Sequence, residues 1–201
     1  MICFNRVTLV MVLLAMLTSF PVIAQEKKPE TRFSHKGLKG AVALGSFDVT
    51  SDNQFDAGQA VGLSLGYGFN DRMTLWLGLE GAEYPASNNN KAITEFDALE
   101  LNFQYKFRAD SRLQPYGKMG AGLYQLKDRV SKAEITGGGF ALALGTDYFV
   151  SPHFGFGFEL HFKDIRYNKL RAKTASGHVT TDIKPDLNRD SRGFLFTLTI
   201  Q

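Results

Sequence analysis

Four stretches of this chain alternate large apolar residues with small or polar ones. Residues 61–69 read Val-Gly-Leu-Ser-Leu-Gly-Tyr-Gly-Phe, and residues 99–107 read Leu-Glu-Leu-Asn-Phe-Gln-Tyr-Lys-Phe. Residues 138–148 set Phe140, Leu142, Leu144 and Tyr148 against Ala141, Ala143, Gly145 and Asp147. Residues 154–162 set Phe154, Phe156, Phe158, Leu160 and Phe162 against Gly155, Gly157, Glu159 and His161. A period of two defines β-strands with one apolar face. That face must meet either a protein core or lipid.

The same pattern predicts eight strands, near 38–49, 59–69, 72–84, 94–107, 113–126, 138–150, 153–167 and 193–201. The connections alternate in length. Asn70-Asp71, Arg108–Arg112 and Ser151-Pro152 are tight turns. Ser51–Gly58, Pro85–Ile93, Lys127–Gly137 and Asp164–Arg192 are longer, the last by far the longest. An even strand number with short turns on one rim and long loops on the other is the pattern of bacterial transmembrane barrels. The fold expected is therefore all-β: an eight-stranded antiparallel up-and-down transmembrane β-barrel over residues 37–201.

Two further observations turn the apolar face outward. The opposite face of the second and sixth strands is Gly, Ala and Ser, which suits a narrow interior better than a wetted surface. Aromatic residues crowd the short-turn ends: Tyr67 and Phe69, Tyr105 and Phe107, Tyr148 and Phe149, Phe154 and Phe156. Those on the apolar face form a girdle at one membrane interface.

Residues 1–24 read as a signal peptide: Arg6, an apolar run over Val7–Leu17, and Val22-Ile23-Ala24 before the expected cleavage. The apolar run is short for a spanning helix and is followed by Thr18, Ser19 and Pro21. The only cysteine, Cys3, lies within the expected signal peptide, ahead of the apolar run, so the exported chain is expected to have no disulfide framework and no thiol chemistry. Removing Arg6 from 23 basic residues leaves 22 against 20 acids, which is no nucleic-acid footprint. Residues 25–36 are polar and charged, and are expected to form a flexible periplasmic lead-in.

By parity, Arg72, Glu80, Glu100, Lys106, Lys118, Asp147, Glu159, His161 and Lys163 point inward. Charges buried in such a lumen must pair or meet water, and their mixed signs permit a connected network. In the last loop, Arg166, Lys169, Arg171 and Lys173 are candidates to contact anionic lipopolysaccharide or an external partner.

Tyr67-Gly68-Phe69-Asn70-Asp71, Leu113-Gln114-Pro115-Tyr116-Gly117 with Gly120 and Gly122, and Gly145-Thr146-Asp147-Tyr148-Phe149-Val150-Ser151-Pro152 resemble segments of the small OmpA-like and OmpX-like outer-membrane β-barrels. The resemblance implies an outer-membrane location and insertion by the barrel assembly machinery, which reads the last strand. Gly193, Phe196 and Leu198 match such a strand, but the family usually ends on an aromatic residue and this chain ends Thr199-Ile200-Gln201. It implies fold and location more than activity. A peptidoglycan-binding domain is not expected, the chain stopping at Gln201.

No catalytic, cofactor or metal site is expected. Small barrels include lipid A-modifying enzymes, which need a serine–histidine pair at the outer rim. Only His161 and His178 lie near that side, and Ser176 shares a loop with His178. His161 with Asp164 is two ligands where a stable metal site needs more. The function expected is a monomeric, non-enzymatic barrel with a structural or surface-interaction role, through membrane integrity, adhesion or lipopolysaccharide contact. The alternatives are a narrow channel and a lipid A-modifying enzyme.

Overall fold

The computed structural model describes residues 33–49, 57–86, 89–174 and 177–201. The expected signal peptide lies outside them, as does most of the lead-in. The eight strands are β1 (Gly37–Val49), β2 (Gly58–Gly68), β3 (Met73–Ala86), β4 (Asn89–Lys106), β5 (Leu113–Asp128), β6 (Glu134–Ser151), β7 (Phe154–Thr174) and β8 (Gly177–Ile200). Each pairs antiparallel with the next, and β8 closes on β1. Closure removes every sheet edge within the paired region, which a wall in hydrocarbon requires.

The barrel is staggered. Following the pairing from Val42 through Leu63, Leu79, Leu99, Leu123, Gly138 and Arg166 leads to Asn188. Val42 itself pairs with Leu198, so the register has climbed ten residues in one circuit. Such a stagger tilts the strands, and rows perpendicular to them rise toward the long-hairpin end from β1 to β8.

The outward face is the apolar one. Leu65, Leu77, Leu101, Leu142, Leu144 and Leu160 all stand exposed, as do Phe103 and Phe158. Its upper limit is visible in the register. The row Leu63–Leu79–Leu99–Leu123 is followed by Val61–Gly81–Asp97–Gln125–Thr136, and then by Gln59–Glu83–Glu95–Lys127–Glu134–Arg171. In this last row Lys127 lies 3.7 Å from Glu95, and Arg129 bridges Glu83 at 2.9 Å and Glu95. Apolar rows ending against ion-paired ones mark where hydrocarbon gives way to water. At the short-turn end, outward rings pair edge to face: Tyr67 with Phe69, Tyr105 with Phe107, and Phe154 with Phe156. Phe149, one position from the outward Tyr148, is not part of the girdle. Its position is inward and it is fully buried.

The strands outrun the lipid band, and this corrects the long last loop. Residues 164–174 and 177–192 belong to β7 and β8 and pair with each other, with irregular pairing between Tyr167 and Lys169. The segments near 85–93 and 127–137 are likewise largely strand. Above the membrane both faces of a strand meet water, so the period-two signal fades while backbone pairing persists.

Candidate functional site

The interior was expected to be small residues plus charge. It also holds Phe47, Trp76, Tyr84, Phe96, Tyr116, Tyr124 and Phe149, all buried. Several glycines seat these rings. A Cβ at Gly66 would lie 2.6 Å from its cross-strand neighbour Trp76, and one at Gly145 would lie 2.5 Å from Tyr116. Both distances are below van der Waals contact, so ring and glycine are matched pairs. Ring-sized residues at inward parity opposite a glycine were the available signal.

Among the described residues, the lumen within this packing carries the lysines Lys39, Lys106, Lys118 and Lys163 against the four acids Glu80, Glu100, Asp147 and Glu159. Eight of the nine expected inward residues are there. Arg72 is not: it lies exposed in the turn before β3, where Asn70 Oδ1 accepts from the amides of Arg72 and Met73 at 2.9 Å. Alternation ends where the strand does. Lys39 and His35 were missed, the first at the start of β1 and the second in the lead-in.

Seven of these eight charges form three groups, and Lys39 instead donates to Thr74 Oγ1 at 3.1 Å. Near the long-hairpin end, Lys163 Nζ meets Glu100 Oε1 at 2.7 Å and also Glu80 Oε2. Glu100 accepts from Tyr124 Oη at 3.0 Å and from Asn102 Nδ2 at 3.0 Å. Phe47, Phe96 and Tyr124 present their rings to the same ammonium, Phe47 at 4.7 Å. In the middle, Glu159 accepts from Lys118 Nζ at 2.6 Å, from Tyr116 Oη at 2.6 Å, and from His161 Nε2. Beside it lies a cavity of about 40 Å³ lined by Lys118, Glu159, His161, Asp147 and Trp76, with room for about three water molecules. Nearer the short turns, Lys106 reaches Gln114 at 2.7 Å and Asp147 at 3.5 Å, over the Phe149 ring at 4.6 Å. His161 faces the lumen and Asp164 the outside, so these two do not converge on a metal.

The lead-in is part of this structure from Phe33 onward. Phe33 and His35 are buried against Phe149, with ring centroids at 6.2 and 5.1 Å. The His35 amide donates to Asp71 Oδ1 at 3.0 Å, and Nδ1–H donates to Gln201 Oε1 at 2.7 Å. Gln201 Nε2 in turn donates to the carbonyls of Pro152 at 2.9 Å and Ser34 at 3.3 Å. The residue departing from the usual aromatic ending therefore ties the last strand to a turn and to the lead-in.

Burial first, then the ammonium charge of Lys106, holds the His35 pKa down to about 4. A histidine whose folded pKa lies below its unfolded value favours the fold fully above about pH 6.5 and loses that contribution as pH falls toward 4. We predict faster amide hydrogen exchange over residues 33–36 as pH drops through that window, after correction for intrinsic rates. His35→Gln should flatten the dependence. An unchanged slope in that variant would remove His35 as its source.

On the outer rim, Arg166, Lys169 and Arg171 stand exposed along β7. Lys173 belongs to β7, but its side chain lies outside the described residues, as do Ser176 and the His178 side chain.

A closed antiparallel barrel of eight strands, apolar outside and filled with paired charges inside, is a transmembrane barrel of the bacterial outer-membrane class. The family model for the outer membrane protein beta-barrel domain matches residues 12–182, and the chain belongs to that family. Among solved structures, Neisserial surface protein A is similar with a TM-score of 0.62 at 15% identity, over 82% of this chain and 97% of that one. The outer membrane protein OprG from Pseudomonas aeruginosa gives 0.53 at 19%, over 84% and 99%. The attachment invasion locus protein Ail of Yersinia pestis gives 0.52 at 13%, over 82% and 99%. At these identities the likeness is one of fold. No curated protein matched the chain.

Proposed function

We propose that this chain is a non-enzymatic, monomeric outer-membrane barrel that acts as a surface-interaction protein through its long hairpins. In this proposal it is exported by the signal peptide of residues 1–24, inserted by the barrel assembly machinery, and oriented with its short turns and both termini in the periplasm. The observation that carries the proposal is the β7–β8 hairpin. The lipid-facing rows end near Phe162 and Phe194, yet pairing continues to Thr174 and Gly177. About a dozen residues of β7, at ~3.3 Å per residue, carry the hairpin tens of ångströms beyond the lipid. A membrane anchor needs only ~9–11 residues per strand, so the excess length serves the space outside. Its exposed Arg166, Lys169 and Arg171 suit anionic partners. Ail, similar in fold, is named for attachment and invasion, which accords with this proposal. The ion-paired and ring-filled lumen supports a structural barrel over a channel.

Display on bacterial cells tests it. The deletion variant joins Ile165 to its partner Arg189 through an Asn-Gly turn. Cells displaying the intact chain should be retained on one or more immobilised host-matrix or glycan surfaces. Cells displaying the shortened barrel should lose at least about 90% of that retention, with the heat-modifiability gel shift preserved. Equal retention by both, or none by either, would sink the surface role. Planar-bilayer recordings of the intact barrel should show no discrete current steps.

A further inference from the structure

Glycines stand at outward positions at the boundary between the apolar and polar rows, Gly81 and Gly138 among them. The leucine row Leu79–Leu99–Leu123 continues through Gly138 to Arg166. At Gly138 the outward side chain is missing, and a Cβ there would meet only the Gly122 carbonyl at 3.6 Å. A groove of about 710 Å³ lies there, bounded by Leu79, Leu99, Leu123, Gly138, Thr136 and Lys169. Asp97 on its polar side is the acid among its lining residues.

The groove has a direction. It crosses from β3 to β7, four inter-strand spacings of ~4.8 Å, or roughly 19 Å. Because the register climbs ten residues per circuit, its β7 end lies farther from the short turns than its β3 end. The low end is leucine and lies in the hydrocarbon band. The high end holds Lys169, with exposed Arg166 paired to Gly138 one row below. Apolar at depth and cationic at the interface is the profile of a lipid with an anionic head and a long acyl chain. An unattached solute would not need the cations at one end and the leucines at the other.

We infer that this groove seats one acyl chain of a phosphorylated outer-leaflet glycolipid of the lipid A type. The chain lies along Leu123, Leu99 and Leu79, fills the notch at Gly138, and leaves a phosphate beside Lys169 and Arg166. The site rests on the same outward placement of the long hairpins as the proposed surface role and shares Arg166 and Lys169 with it, but its acyl end lies on the barrel wall and its readout is lipid retention.

Native mass spectrometry of the refolded full barrel, released from detergent with bisphosphorylated lipid A added, tests the inference. The expected result is one retained lipid A per barrel, and much weaker retention of phosphatidylethanolamine, which lacks net charge. Gly138→Leu should fill the notch and lower lipid A retention about tenfold. The exposed double variant Arg166→Gln, Lys169→Gln should do the same, two interfacial cations being worth at least that factor. Lys132→Gln, exposed in the turn between β5 and β6, should leave retention near the intact value. The gel shift on heating identifies folded material for each variant. Unchanged retention in folded Gly138→Leu overturns the groove, and unchanged retention in the double variant overturns the phosphate end. Equal retention of phosphatidylethanolamine overturns the ligand class. None of these results touches the adhesion assay, so the two proposals fail separately.

Discussion

Replacing Lys163 by methionine should destabilise the barrel by about 3–5 kcal/mol. Lys163 sits across the lumen from β3 and β4, fully enclosed, and is the cation shared by Glu80 and Glu100. Methionine keeps most of the volume and lets Phe47, Phe96 and Tyr124 pack as before. What is lost is the charge between two carboxylates, each of which was removed from water on the strength of it. An uncompensated buried charge costs far more than an intact pair contributes, so the effect comes mainly from the survivors. The triple variant Glu80→Gln, Glu100→Gln, Lys163→Met should therefore recover most of the loss. Urea titration of the refolded barrel in vesicles, followed by tryptophan fluorescence from Trp76, provides the midpoints. If the triple variant were no better than Lys163→Met, packing and not charge would be the cause.

Arginine at Leu101 should cost roughly 2–4 kcal/mol. Leu101 lies on the outward face of β4, paired with Leu77 and Ala121 within the apolar rows. Arginine there must reach an interface from mid-depth or hold its charge in hydrocarbon. The same substitution at Val130, exposed in the turn between β5 and β6, should change stability by less than about 0.5 kcal/mol. The contrast, measured in the same vesicles, reports the lipid-facing assignment directly. Equal tolerance at both sites would place Leu101 outside the hydrocarbon.

These two substitutions probe opposite faces of one wall, and the faces differ in how readable they were. Leu101 and Glu100 are separated by one position in an alternating run. Parity alone assigns the first outward and the second inward, because successive strand side chains point to opposite faces. That rule points eight ionisable residues to the lumen, where they lie in the structure, and the leucines to the lipid side. It failed at Arg72, where the backbone leaves the strand, and at His35, which precedes the first strand. It also failed for the hairpin beyond Tyr167, because a strand wetted on both faces leaves no hydropathy pattern.

Parity does not say which inward charges meet. Lys163 on β7 pairs with acids on β3 and β4, while Glu159, four residues away on the same strand and face, pairs with Lys118 on β5. Those partners follow from the relative heights of strands that are remote in sequence, and the ten-residue stagger sets the heights. The same stagger tilts the Leu79–Leu123 groove so that its leucine end points into the membrane and its lysine end out of it. The sequence by itself thus determined a transmembrane barrel and the face of each strand residue, because a period of two is a local property of the chain. Only the tertiary structure decided which charges neutralise one another, which rings cover which glycines, and how far the hairpins reach. Each of these depends on closure and register, which no single strand encodes.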